Sequence, residues 1–226
     1  MKRKRQLSLL LITLIIIIGV CGCMSTNDTN RAEKIKDLAL NYLNDKYDDT
    51  FKPQGYSNGD WAYEYSSVSF ISEKYADSVE VQVTKSGDDY LFEDDYYKLT
   101  MKEEAEKYFE KLGERNGYEV EVKVDFSGTE MPTDLDSNST FAELTETGKC
   151  NIEVYFISLS VFTDDSITAV MNDIANAHIM GHFRFIQTDD SNLLAEYSIS
   201  EIVDEKSSAI LNKQSYSINK NYEIIQ

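Results

Sequence analysis

Positive charge is scarce in this chain: 22 lysines and arginines stand against 40 aspartates and glutamates, a formal net charge of −18. Nucleic-acid binding needs a basic footprint to displace phosphate counterions, so no nucleic-acid partner is expected. Cysteine and histidine are scarce too, with three and two residues, and they form no nucleophile pair by sequence. A phosphate-binding glycine loop and a Gly-x-Ser-x-Gly elbow are both missing. No catalytic residue and no cofactor is therefore assigned, and the chain is not expected to be an enzyme. The long apolar run is confined to Leu7–Val20, about 14 residues broken only by Ser8, Thr13 and Gly19. That falls short of the ~20 residues a transmembrane helix needs. A transporter-type solute-binding protein with two full α/β lobes would need more chain than this.

What is present begins with Lys2, Arg3, Lys4 and Arg5, followed by the apolar run and then Val20-Cys21-Gly22-Cys23. A basic start, a short apolar stretch and a small-residue cleavage site are the layout of a secretory signal peptide. The stretch resembles the signal of bacterial lipoproteins, in which an aliphatic residue, a small residue and Gly or Ala precede a cysteine that becomes acylated and N-terminal. The resemblance implies cleavage before Cys23 and lipidation of Cys23; cleavage before Cys21 would put branched Val20 where a small residue is needed. It implies a signal peptide over 1–22; the polar stretch after Cys23 reads as a short tether over 23–30, and the remaining length as a single α+β domain over 31–226. The protein would sit on the extracytoplasmic face of the cell membrane, held by palmitate-type acyl chains, since two chains anchor stably where one is marginal.

Without the signal, 18 basic residues face 40 acidic ones, a charge of −22. Such a surface disfavours lying flat on an anionic leaflet. Cys150 is left without a partner, so no disulfide is expected; it opens an apolar strand pattern and reads as an inert buried thiol. The acidic, tyrosine-rich make-up together with the signal resembles surface lipoproteins of low-GC Gram-positive bacteria.

Ile35, Leu38, Ala39, Tyr42, Leu43 and Tyr47 recur at helical spacing and predict an amphipathic helix over 31–47, with Asn30 and Glu33 as its capping box. Residues 48–60 read as a loop. Trp61, Tyr63 and Tyr65 alternate in one phase and Val68 and Phe70 in the other, implying a strand with a bulge near Ser66-Ser67. Val79, Val81 and Val83 predict a second strand, and Tyr90–Leu99 a third. Thr100 with Glu103 opens a helix to about Leu112, and Tyr118–Phe126 alternates as a strand. Thr140 with Glu143 caps a short helical turn, and Ile152–Val161 is a strand. A helix over 166–178, closed by Gly181, precedes the strand Phe183–Ile186. Further strands are expected over Leu193–Val203 and Ala209–Ile225. The fold class is α+β, a mainly antiparallel sheet with helices packed on one face. The middle of the chain runs βαββαβ, the order of the ferredoxin-like motif. The alternative is two small consecutive α+β lobes divided near 127–139.

His178 and His182 stand four residues apart, which on a continuous helix would place both on one face as metal ligands. Gly181 interrupts that helix and no Glu follows the first His, so two partly buried histidines at a helix-to-strand turn are preferred. Asp134-Leu135-Asp136-Ser137-Asn138 resembles the start of an EF-hand loop, with Asp134, Asp136 and Asn138 at positions one, three and five. Ser139 replaces the turn glycine and Thr145 the bidentate Glu, so a solvated turn is preferred. Trp61, Tyr63 and Tyr65 could stack on sugar rings, but aromatics that bury ~150–250 Å² each are more often core. Asp88-Asp89 and Glu93-Asp94-Asp95 could supply a carboxylate pair. The expectation is a membrane-anchored lipoprotein with a non-catalytic binding or interaction domain for a protein or cell-wall partner. The alternative is a hydrolase of cell-wall or sugar substrates.

Overall fold

The computed structural model describes residues 26–59, 64–126, 128–131, 135–193, 201–202 and 209–226. Helix α1 (Thr26–Lys46) buries Ile35, Ala39 and Leu43, with Tyr47 just past its end, a stripe at four-residue intervals. The helix starts before the predicted cap, so Asn30 lies inside it and residues 26–30 of the expected tether are helical. Four antiparallel strands follow, β1 (Phe51–Ser57), β2 (Tyr65–Ser72), β3 (Ser78–Ser86) and β4 (Asp89–Asp94), adjacent in that order. Alternation packs Val68, Phe70, Val79, Val81 and Val83 into one core with α1. Register then places Tyr65, Ser67, Glu80, Gln82 and Glu93 on the opposite face.

Strand β1 occupies the expected loop. Pro53 and Gly55 hide its pattern, and they are tolerated because β1 is an edge strand whose register shifts between those two residues. The bulge expected near Ser66-Ser67 is not formed: the β2–β3 register runs unbroken from Tyr65 to Ile71.

Strand β4 ends at Asp94, earlier than predicted, and the chain turns through α2 (Tyr97–Thr100) into α3 (Lys102–Arg115). Thr100 does not cap α3, because its Oγ1 donates to the Tyr97 carbonyl at 3.1 Å and Met101 takes the N-cap place. Adjacent tyrosines mark the change of unit. Tyr96 packs on Tyr47 and Phe51 in the first core, whereas Tyr97 packs on Phe126 in the second.

The second sheet contains β5 (Glu121–Asp125), β6 (Asn151–Ser158), β7 (Met180–Thr188), β8 (Ile210–Ile218) and β9 (Ile224–Ile225), adjacent in that order. Only β6 and β7 are parallel, joined through helix α5 (Asp164–Asn176). Helix α4 (Phe141–Glu146) forms the predicted Thr140/Glu143 capping box. Phe109 and Leu112 of α3, Phe141 of α4, and Ile167, Val170 and Ile174 of α5 share one core with Val122, Val154, Phe156 and Phe183 of the sheet.

The α+β class therefore holds, and the βαββαβ order is present along the chain. It does not make a ferredoxin-like sheet, because β4 pairs with β3 in the first sheet. Nor does 127–139 divide two lobes, since β5 and β6 on either side of it are paired. The chain changes sheet between β4 and α3.

Gly181 does not end α5. It lies in β7 with φ +141°, where a Cβ would come within 1.8 Å of the Ile152 carbonyl oxygen, so β7 can approach β6 only with glycine there. The range Leu193–Val203 is not the predicted strand at its described residues, because Leu193 and 201–202 are helical. Among the described residues no helix is long and apolar enough to cross a membrane.

Candidate functional site

Where the outer face of the first sheet meets the β5 end of the second lies a cleft of about 690 Å³. This is within the ~300–1,000 Å³ usual for small-ligand sites. The first sheet contributes Tyr65, Glu80, Gln82 and Glu93, which point outward because Val79, Val81, Val83 and Asp94 take the inward places. The connection contributes Asp95, Tyr97 and Lys98. The second unit contributes Asp125, Phe126, Thr129, Glu130, Met131 and Lys149, so that five carboxylates face two amines.

The walls are held by local hydrogen bonds. Ser67 Oγ donates to Glu80 Oε1 at 2.8 Å. Asp95 accepts the Glu80 N–H at 2.7 Å on Oδ1 and the Lys98 ammonium at 2.6 Å on Oδ2. Burial pushes the Asp95 carboxyl above the usual carboxylate range, outweighing the downward pull of Lys98. Tyr97 sets its ring edge-on to Phe126 at 5.9 Å and points its hydroxyl at the Thr129 carbonyl 3.5 Å away. Burial, with Asp95 adding to it, raises the Tyr97 hydroxyl, which stays a neutral donor. Thr129 Oγ1 accepts from the Asn151 N–H at 3.1 Å and donates to its carbonyl at 2.9 Å, fixing the segment after β5.

A second groove of about 290 Å³ shares Lys98, Asp125 and Phe126 with the cleft and adds Asp77, Lys102, Lys123 and Tyr155. On the sheet face beyond it, Arg184 lies 2.5 Å from Glu153, and the Tyr155 hydroxyl donates to the same carboxylate at 2.6 Å. Burial acts to raise Glu153, but these two donors outweigh it and hold the carboxyl below its usual range.

The residues singled out from sequence are distributed differently. Cys23, Trp61, Tyr63 and Asp134 lie outside the described residues. Asp136 Oδ1 accepts the Asn138 N–H at 2.8 Å and the Ser139 hydroxyl at 3.3 Å, closing a turn that leads into the α4 cap. His178 takes a left-handed φ of +57° and stacks on Tyr222 at 4.6 Å, whereas His182 belongs to β7 and lies 2.8 Å from Ser217 Oγ. Both histidines are exposed rather than partly buried, and the one-face helical geometry never arises because α5 ends at Asn176. No group of three or more His, Cys, Asp or Glu placed to hold a metal occurs among the described residues. Cys150 is buried, and burial pushes its thiol up to about 12. Tyr65 is a cleft residue, not a core residue.

Glu93 and Asp95, both from the acidic triplet, line the cleft, while Asp94 between them turns inward. Glu80, Gln82, Lys98, Asp125, Glu130 and Lys149 were not anticipated as site residues. For Glu80 and Gln82 the outward phase of the Val79-Val81-Val83 alternation was the available signal. Comparison with protein-family models, curated proteins and solved structures finds no match for this chain.

Proposed function

We propose that this protein is an extracytoplasmic lipoprotein anchored to the cell membrane through acylated Cys23, and that its folded part is a non-catalytic binding module. Its ligand carries positive charge and sits in the junction cleft. The anchor is supported by the basic start, the apolar run and Val20-Cys21-Gly22-Cys23. The binding reading is carried by the cleft wall, five carboxylates beside the half-buried ring of Tyr65. Ammonium groups gain from such a wall by charge and, at Tyr65, by contact with an aromatic ring.

A second reading, a hydrolase using a carboxylate pair, is favoured by the raised Asp95 beside Glu80. It is the weaker of the two because both Asp95 oxygens already accept hydrogen bonds, one from an ammonium. Cys23→Ala should release the protein or leave it unprocessed; an acylated, processed species in the membrane fraction would contradict the anchor. Spermidine should raise the melting temperature of the full chain in detergent micelles more than sodium chloride at matched ionic strength, and Glu93→Gln should remove most of the difference. Equal shifts from the two salts would remove the cleft reading. Turnover of cell-wall glycan that vanishes in Asp95→Asn would promote the hydrolase.

A further inference from the structure

We infer that the open edge of β4 accepts an extended polypeptide strand from a partner, its side chains alternating between basic residues on the cleft face and aliphatic residues on the α1 face. The inference rests on the binding reading above for the charge of the ligand and adds the backbone that holds it. Four strands lie at sheet edges, β1, β4, β5 and β9, and three of them resist further pairing. Strand β1 carries Pro53 and a register shift, β5 has its Val124 N–H accepted by Glu106 of α3 at 3.5 Å, and β9 is two residues long. Strand β4 has no proline, no lysine and an unbroken register from Asp89 to Asp94. The Asp95 N–H donates to the Glu80 carbonyl at 3.2 Å, so by alternation Glu93, Leu91 and Asp89 bond to β3 while the backbone of Tyr90 and Phe92 points outward. Among the described residues no backbone partner meets them there.

Side chains beside this edge select the strand that would add to it. On the α1 face Tyr90 and Phe92 are half-buried, whereas Val83, paired with Phe92 one strand further in, is 3% exposed. Tyr42 stacks on Phe92 at 4.9 Å and Lys34 lies over Tyr90, with half-buried Leu38 between them on the same helical stripe. Lys34, and Lys85 paired with Tyr90, disfavour an amine on this face, where aliphatic side chains would complete the packing. On the cleft face Leu91 is 59% exposed between Asp89 and Glu93, and β4 has no amine to offset those acids. A second copy of the chain is disfavoured, since pairing β4 with itself about Leu91 sets Asp89 opposite Glu93. A basic strand turns the same acids into attraction, and main-chain bonds supply the rest of its affinity.

The test is amide-resolved hydrogen exchange of the full chain in detergent micelles with an end-blocked hexapeptide of alternating lysine and valine, the same peptide N-methylated at its valines, and spermidine. In an antiparallel pair the valine N–H groups share the face of Tyr90 and Phe92, so N-methylation removes the main-chain bonds and keeps the charge. In the unbound chain the Tyr90 and Phe92 amides should exchange faster than those of Leu91 and Glu93. The hexapeptide should slow them about tenfold or more, and the N-methylated form and spermidine should not. Tyr90→Pro, which removes an N–H that β3 does not use, should keep the circular dichroism of the parent and lose the protection at Phe92; the N-methylated peptide tests the same bonds without altering the protein. If that peptide or spermidine protects Tyr90 and Phe92 equally, or the unmethylated one protects neither, strand addition is wrong. Protection that rises with protein concentration in the unbound chain would put a second copy on the edge and overturn the basic partner. Saturable spermidine shifts at the cleft without peptide protection of β4 would leave the binding reading standing, and absence of both would remove both.

Discussion

The two units of this protein are ordered by different chemistry. In the first, one helix covers one small sheet, and a core that includes Ile35, Leu43, Val68, Phe70 and Val81 is accompanied by a buried carboxylate. Asp94, 1% exposed, accepts the hydroxyls of Tyr42 at 2.6 Å and Tyr47 at 2.7 Å, the Lys46 ammonium at 2.8 Å and the Tyr96 N–H at 3.0 Å. Asp49 does the same at the same end of the strands, on the β1 side, accepting Ser72, the Tyr96 hydroxyl and the N–H groups of Thr50 and Lys74. The second unit buries no charged side chain among the described residues. It relies on rings, with Phe109 against Phe141, Phe156 and Phe183, and Phe156 stacked on Phe185 at 4.8 Å. A small sheet with a single helix has little apolar area to bury, so directional contacts to Asp94 fix where α1 sits on β4. The larger unit has enough area for packing to do this.

The largest expected effect breaks the second unit. Val122→Asp puts an unpaired charge among rings, at a cost of several kcal/mol from a typical total of ~5–15, and should unfold the domain. Glu121→Lys, one residue away on the wet face, should stay within ~0.5 kcal/mol. Equal melting temperatures for the two would overturn the β5 assignment. Next, Asp94→Ala leaves the Lys46 charge and two tyrosine hydroxyls without their acceptor, and should cost about 3–5 kcal/mol. Urea unfolding that shows a loss under ~1 kcal/mol would mean that packing, not the carboxylate, orders the first unit too.

A smaller effect sharpens the contrast through pH. Burial acts to raise Asp49, but its hydrogen bonds outweigh this and hold the folded carboxyl below the usual range. Its contribution is therefore fully present above the unfolded Asp value of ~3.9 and is lost as pH falls through the lower folded value. Unfolding free energies from pH 6 downward should fall less steeply in Asp49→Asn than in the parent. A parallel pH dependence in the two proteins would remove Asp49 from the account.

Much of the fold was legible because its signals are local. The 3.6-residue stripe of α1, the alternations of β3 and β5, and the Thr140/Glu143 box depend on near neighbours and formed as read. The Thr100/Glu103 box has the same spelling but fails, since Thr100 is drawn into α2 by the Tyr97 carbonyl. Strand β1 was hidden because an edge position suspends the rule against Pro53. Pairing was not legible at all: nothing in Tyr90–Asp94 says that this strand joins the sheet before it and not the one after. The cleft was legible only in part for the same reason. Tyr65, Glu93 and Asp95 drew notice as local clusters, but Asp125, Glu130 and Lys149 become site residues only when two separately folded sheets meet.

The central claim is that both units build one binding cleft, and amide-resolved NMR of the full chain in detergent micelles, titrated with spermidine, tests it most directly. The account predicts that Tyr65 and Glu93 of the first unit shift together with Asp125 and Glu130 of the second, along one saturable curve that sodium chloride at matched ionic strength does not reproduce. Shifts scattered over the acidic surface, confined to one unit, or matched by sodium chloride would contradict it.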